Sequence, residues 1–308
     1  MLSRVTSQMM MASAQRNLQA SNSLLAQRQQ QASSLQAIGR PSDDPIGTAS
    51  SMQVRAQAAA ASQYSRNIDD GTSWLNTIDS SLTSTTNIMN QVRDLTVQGG
   101  NGSLNQAAKD ALATQIEGLK SDLMGQANTQ FQGRNVYAGS SDKTPVFTAP
   151  TDPNYLQATP SPDYAFTGNA GTTVDRRIAP GTTVPVDADG SKIFGGDGTT
   201  PSVFKLLDNI TATLRAGGDP SSQLTDIDAR MKTMTTAHAE MGTRQAQILK
   251  AKDTNLALQN SLEAQRSGIE DLDLGKSVLD LQTQQVNYQA ALAVTAKVLP
   301  QTLMDFLR

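Results

Sequence analysis

The sequence contains no cysteine and only one histidine among its 308 residues. Disulfide bonds, thiolate metal sites and cysteine nucleophiles are therefore excluded, and so are metal centres built from several histidines. The single histidine, His238, lies between Met234 and Met241 at helical spacing. This position predicts a partly buried helix residue in a methionine-lined core rather than a catalytic base.

Aromatic residues make up only 4% of the chain, and hydrophobic residues make up 37%. A thick globular core is not expected from so few bulky side chains, whereas long thin helices need only a narrow apolar stripe. The net charge of −3 lacks the basic surplus that is typical of nucleic-acid-binding proteins. No apolar run approaches the roughly 20 residues required to cross a bilayer, so membrane insertion is not expected.

The N-terminal segment, residues 1–42, contains four arginines, no acidic residue and many serines and glutamines. That composition also occurs in organellar transit peptides, which is one alternative interpretation. Met9, Met10 and Met11 form too short an apolar run for a Sec signal peptide. We favour a structural helix, because the segment has a heptad pattern that a cleaved peptide does not need.

Each end of the chain carries apolar residues at heptad spacing and is predicted to form a helix that buries one stripe against another helix. The two ends are therefore expected to pair with each other and with neighbouring molecules, as in a polymer subunit. The N-terminal seam residues are Met11, Leu18, Leu25 and, in the alternate seam, Leu35; the C-terminal ones are Leu262, Ile269, Leu272, Leu279, Val286, Leu303, Phe306 and Leu307.

A compact break is predicted at residues 39–45. Asp44 is a suitable N-cap, because its carboxylate can accept hydrogen bonds from the free N–H groups of the next helical turn. Pro45 suits the first helical position, where a missing N–H costs nothing. Capping explains the acidic pair here better than a catalytic role does. The predicted hinge and cap consist of Pro41, Ser42, Asp43, Asp44 and Pro45.

The fold is predicted to be mainly α, with a long antiparallel helical bundle or coiled coil formed by the N- and C-terminal segments and a small β-rich domain inserted mid-sequence. A softer point is expected at 69–71 within the second helix. A hairpin turn is expected at 187–190, because the glycine there comes too early for an EF-hand calcium loop. The predicted domains are a terminal coiled coil, 1–40 and 262–308; a helical bundle, 41–138 and 201–261; and a β-rich outer domain, 139–200.

Several motifs follow one another in a specific order. The first is Gly39-Arg40-Pro41-Ser42-Asp43-Asp44-Pro45, and the others are residues 67–71, 91–98, 133–140, 144–147, 190–195 and 299–308. Together they resemble bacterial flagellins and, more closely, the FlgL-type hook-associated junction proteins of the same superfamily. The first motif is similar to the FlgL version of the hinge. The resemblance extends over roughly 1–140 and 200–308.

The resemblance implies a structural subunit of the bacterial flagellum, outside the cell at the junction between hook and filament, with a role in motility. It implies flagellar type III export without a cleaved signal peptide. The implied partners are identical subunits in a ring, the adjacent hook-associated junction protein, flagellin and a flagellar secretion chaperone. No catalytic residue, cofactor, metal, nucleic-acid partner or membrane insertion is implied.

Two alternatives remain open. One is flagellin itself, the bulk filament subunit, although the hinge motif at 39–45 and the region 137–147 favour the junction protein. The other is an enzyme or adhesin carried by the insertion at 139–200. That insertion contains no histidine and no recognised catalytic motif.

Overall fold

The computed structural model describes residues 2–151 and 162–306, and the side chains of residues 2–8 and 297–306 are outside that description. The chain divides into two compact units. The terminal unit comprises Met1–Ala60 and Leu258–Arg308, and the central unit comprises Ala61–Ala257. The predicted division into three domains stays a prediction.

Long helices account for most of the described chain. They are α1 Leu2–Ser34, α2 Pro45–Gly99, α3 Gln106–Ala127, α4 Gly190–Phe194, α5 Val203–Arg215, α6 Leu224–Glu270 and α7 Leu274–Phe306, with a 3-10 turn at Pro220–Gln223. In the terminal unit, α1 packs against α7. In the central unit, α2 and α6 run antiparallel and are joined by the ion pairs Asp69–Lys252 and Arg93–Asp228. This arrangement confirms the predicted fold class.

Helix α2 continues without a break through residues 69–71, where the sequence predicts a softer point. Asp70 is paired with Arg176 at an Oδ2–Nε distance of 2.6 Å. Gly71 is buried, and a Cβ at this position would meet Cδ1 of Ile248 at 3.0 Å. The glycine therefore permits close packing rather than a bend. The predicted softer point is wrong, because these tertiary contacts outweigh the low helix propensity of Asp-Asp-Gly.

In the described part of the mid-sequence region, the β structure consists of three short antiparallel pairs. They are β1 Gln130–Phe131 with β2 Arg134–Asn135, β3 Phe147–Thr148 with β4 Ala165–Phe166, and β5 Asp175–Ala179 with β6 Thr182–Pro185. The predicted hairpin turn at 187–190 is wrong. Asp189 instead accepts a hydrogen bond from the Ser191 N–H at 3.1 Å, and this contact caps the short helix α4.

The hydrophobic core lies in the central unit. Phe147 packs against Phe194 and Phe204, with ring centroids 5.4 and 5.6 Å apart. Met234 and Met241 are buried in the same core cluster, which confirms the prediction from their helical spacing. Five buried aromatic rings gathered in one region explain how a chain with few aromatic residues still builds a packed core.

The two units differ in how much of their apolar surface is covered. Among the described residues, the buried hydrophobic side chains of the terminal unit are Val54 and Leu262, and all others lie in the central unit. Of the sixteen large hydrophobic side chains that are exposed in the described part of the chain, thirteen belong to the terminal unit. The terminal unit therefore presents to solvent the kind of apolar surface that marks an interaction site.

Two matched substitutions test this division. Leu82→Ala should lower the free energy of unfolding by about 2–5 kcal/mol, because Leu82 is fully buried and truncation leaves a cavity. Leu279→Ala should change it by less than about 0.5 kcal/mol, because Leu279 is 65% exposed. Denaturant unfolding followed by circular dichroism measures both values. Equal losses of unfolding free energy in the two variants would contradict the assignment of the core to the central unit.

Candidate assembly surface

A polar contact fixes which sides of α1 and α7 face each other. Gln284 on α7 donates from Nε2 to the backbone oxygen of Ser21 at 3.1 Å and to its Oγ at 3.2 Å. Met11, Leu18 and Leu25 lie within about 80° of Ser21 around α1 and are half-buried. The heptad pattern therefore places these three residues on the side of α1 that faces α7. Their role in assembly stays a prediction.

The side of α7 that faces α1 is largely polar. At 100° per residue, most positions within about 60° of Gln284 are buried or half-buried. The covered ones are Ser277, Asp280, Leu281, Tyr288, Ala291 and Thr295, whereas Asn287 at the edge of this face is exposed. Because the hydrophobic contribution scales with apolar area removed from water, this seam stabilises the helix pair less than a seam of leucine and valine would.

Leu279, Val286 and Ala293 form a second face of α7, roughly opposite Gln284, which we call the outer α7 stripe. Leu279 is 65% exposed and Val286 is 63% exposed, and Ala293 is also exposed. The heptad pattern predicts Leu279 and Val286 to pack against another helix. In the single chain they contact solvent, because α1 occupies the polar side of α7.

The C-terminal region is broken into two helices, so one continuous C-terminal heptad helix is a wrong prediction. Leu262 is buried and Ile269 is half-buried, both near the end of α6. Leu272 is half-buried in the connection between α6 and α7. The seam residues predicted for one helix therefore lie on two helices and a connection.

The remaining predicted seam residues lie at the edges of the described helices. Leu35 follows the last residue of α1, has a φ of 58° and is 54% exposed. Its left-handed conformation ends the helix, so Leu35 does not continue the α1 seam. The side chains of Leu303 and Phe306, and all of Leu307, lie outside the described residues.

Two connecting segments, residues 35–44 and 271–273, lie side by side in the terminal unit. The Ala37 N–H donates to the Glu270 carbonyl at 2.8 Å, and the Leu272 N–H donates to the Leu35 carbonyl at 3.1 Å. An antiparallel bridge also pairs Gln36 with Asp271. The chain thus breaks its helices at two adjacent points that are joined by backbone hydrogen bonds.

The predicted hinge residues end the first of these connections. Pro41, Ser42 and Asp43 lie in an exposed turn, Asp44 precedes α2, and Pro45 begins it. Asp43 accepts a hydrogen bond from the Arg40 N–H at 2.9 Å. Asp44 accepts one from the Gly47 N–H at 2.9 Å, which caps α2. Both carboxylates therefore satisfy backbone donors.

Glu270, the last residue of α6, holds this region together through a contact between remote parts of the sequence. Its carboxylate accepts from Arg55 Nε at 2.7 Å and Nη2 at 2.8 Å, and from the Ser51 hydroxyl. The hydrogen bonds from Arg55, followed by the one from Ser51, lower the pKa of Glu270 to about 2. We call these three residues the connector clamp. No sequence pattern identifies it, because Arg55 and Glu270 are 215 positions apart.

The single histidine, also weighed for chemistry, has a structural partner. His238 is half-buried, as predicted, and its Nε2 lies 2.7 Å from Oδ1 of Asp79. Within residues 2–151 and 162–306, no three histidine, cysteine, aspartate or glutamate side chains come together as a metal site. None of the described helices is long and apolar enough to span a membrane.

The helical regions match known proteins. The model of the bacterial flagellin N-terminal helical region matches residues 5–142, and that of the C-terminal helical region matches residues 224–307. The chain is 27% identical to the flagellin of Bacillus subtilis over 304 residues, which cover 94% of this chain and 95% of that protein. It is 26% identical to flagellar hook-associated protein 3 of Escherichia coli over 301 residues, which cover 92% and 87%.

Two solved structures share this fold. One is a protein of Vibrio parahaemolyticus assigned as flagellar hook-associated, with a TM-score of 0.65 and 19% identity, covering 74% of this chain and 100% of that one. The other is flagellar hook-associated protein 3 of Legionella pneumophila, with a TM-score of 0.63 and 13% identity, covering 71% and 98%. At such low identities, these matches concern the fold alone.

Glu270→Gln tests the connector clamp. The amide keeps the size but removes the charge, so hydrogen exchange of the Ala37 and Leu272 amides should become about tenfold faster. In the unmodified chain, the pKa of Glu270 is lower when folded than its ordinary value of 4.5. Its contribution is therefore complete above pH 4.5 and is lost as the pH falls toward about 2.

Glu263→Gln is the matched control, because Glu263 lies on the same helix and its side chain is 64% exposed. Exchange measured by NMR or mass spectrometry should be unchanged in this variant. Unchanged exchange in Glu270→Gln as well would show that the clamp does not hold the connections.

Proposed function

This chain belongs to the flagellin superfamily, and we propose that it forms the junction ring between the hook and the filament, on which flagellin polymerises. Models of both helical regions of bacterial flagellin match it, over residues 5–142 and 224–307. Membership in this superfamily makes the chain a structural protein of the bacterial flagellum. The position at the junction is the further step that we propose.

The choice of junction protein over flagellin rests on motifs rather than on overall identity. Identities of 27% to a flagellin and 26% to a hook-associated protein do not separate the two functions. The hinge sequence at 39–45 and the region 137–147 support the junction protein. The likeness to two hook-associated structures concerns the fold alone and does not separate the two candidates. Flagellin remains the second candidate, supported by a match to a flagellin along nearly the whole chain.

The observation that supports assembly most directly is the exposed outer α7 stripe. Complete burial of a leucine or valine side chain contributes about 1.5–3 kcal/mol relative to exposure. In the free subunit, Leu279 and Val286 provide only a small part of this burial free energy, because both are more than half exposed. If a neighbouring subunit covers the outer α7 stripe, the burial of these side chains would stabilise every interface of the ring.

The charge distribution of α7 favours the same role. Between residues 277 and 304, the only charged side chains are Asp280 and Lys297. A sparsely charged helix enters a packed tube of helices at little desolvation cost. We propose that Leu303, Phe306 and Leu307 also take part in assembly.

The proposed partners are sister subunits, the adjacent hook-associated junction protein, and flagellin on the distal side. A flagellar secretion chaperone would cover the terminal helices before type III export, since exposed apolar side chains are prone to unwanted association. The proposed location is outside the cell, and the proposed export needs no cleaved signal peptide. We propose no catalytic role, since Asp43, Asp44 and His238 each have structural partners.

A complementation experiment tests this function. A strain that lacks the chain should make intact hooks and release unpolymerised flagellin, and the unmodified chain should restore filaments. Val286→Asp should fold normally, because Val286 is 63% exposed. It should not restore filaments, because assembly would bury an unpaired carboxylate. Filament counts by electron microscopy and secreted flagellin are measured together.

Gln285→Asp is the matched control, because it adds the same charge at the adjacent exposed position, about 100° away around α7. It should restore filaments. Normal filaments with Val286→Asp would contradict the proposed role of the stripe. Quantification of the chain in purified filaments separates the two candidates, because a junction protein is present in a few rings and flagellin is present along the whole filament.

A further inference from the structure

We propose that the exposed methionines of the terminal unit are oxidation-sensitive sites. Oxidation of Met9, Met10 and Met52 to sulfoxides by a peroxide blocks assembly while the central unit stays folded. This inference rests on the proposed assembly function. It concerns the free subunit, before neighbouring molecules cover the terminal unit.

Apart from Met11, which is half-buried in the terminal unit, the described methionine side chains fall into two groups according to their exposure. Met9 is 69% exposed, Met10 is 62% exposed and Met52 is 68% exposed, and all three belong to the terminal unit. The methionines of the central unit are buried or packed against its core: Met89, Met124, Met231, Met234 and Met241. A peroxide in solution therefore has access first to the sulfur atoms of the terminal unit.

The composition of the chain leaves few other accessible groups for a peroxide to oxidise. There is no cysteine, so no thiolate competes for the peroxide. Trp74, the only tryptophan, is 2% exposed and is shielded within the central unit. Exposed thioethers are thus the most accessible oxidisable groups among the described side chains.

The reaction is a transfer of one oxygen atom. A lone pair of the methionine sulfur attacks one oxygen of hydrogen peroxide, a sulfur–oxygen bond forms, and the oxygen–oxygen bond breaks. Proton transfer from the attacked oxygen to the departing hydroxide releases water. The sulfur is oxidised by two electrons, and the peroxide is reduced by two electrons.

The product changes the surface rather than the fold. A sulfoxide is polar and chiral where the thioether was flexible and apolar. In the free subunit the new oxygen contacts water, because these side chains are already exposed. When a neighbouring subunit covers it, the oxygen loses that water and has no donor provided for it, which disfavours association.

The experiment uses purified full-length chain and limiting hydrogen peroxide. Peptide mapping by mass spectrometry should find sulfoxide at Met9, Met10 and Met52 before it appears at Met89, Met234 and Met241. The treated chain is then added to cells of the deletion strain, and filaments are counted by electron microscopy. Filament number should fall about tenfold or more, while the circular dichroism melting curve of the central unit is unchanged.

The triple substitution Met9→Leu, Met10→Leu and Met52→Leu keeps apolar side chains that cannot accept oxygen. This variant should restore filaments equally well before and after treatment, whereas the matched buried substitution Met89→Leu should stay as sensitive as the unmodified chain. Equal oxidation rates at exposed and buried methionines, or equal sensitivity of the triple variant, would overturn the inference. If the untreated chain does not restore filaments, the proposed function is refuted instead. The order in which the methionines are oxidised does not depend on that function, so the two failures can be distinguished.

Discussion

The terminal unit depends on one constraint: α7 has two faces, and α1 can cover only one of them. The covered face carries Gln284 and its hydrogen bonds to Ser21, and a largely polar face of this kind contributes modest net stability to the pair. The apolar face that includes Leu279 and Val286 remains in contact with water. Among the described helices, α1 is the main packing partner of α7, so we propose that other molecules cover this exposed face in the assembled state.

Much of the local structure follows from the sequence. The 3.6-residue period identifies the long helices and the buried methionines of α6, and the Asp44-Pro45 pair identifies the start of α2. These features depend on a few neighbouring residues, so a single sequence contains the information. The segment at 69–71 shows the limit of such reasoning. Its local propensity favours a bend, but contacts with Arg176 and Ile248 from distant parts of the chain keep it helical.

The candidate surface was less predictable for a related reason. A heptad pattern identifies an apolar stripe, but it does not say whether the partner is in the same molecule. Leu279 and Val286 fit the seam pattern as well as Leu18 and Leu25 do, yet the first pair is exposed and the second is half-buried. The connector clamp could not be predicted from the sequence, since Glu270 and Arg55 have no local signature and meet only through the tertiary fold.

Hydrogen–deuterium exchange of the free and the assembled subunit, read by mass spectrometry at the same pH, tests the central claim most directly. If the terminal unit is incomplete alone, the amides of α1 and α7 should exchange rapidly in the free chain and become protected on assembly. The amides of the central unit should be protected in both states. Protection of α1 and α7 in the free chain equal to that of α3 and α5 would contradict the account.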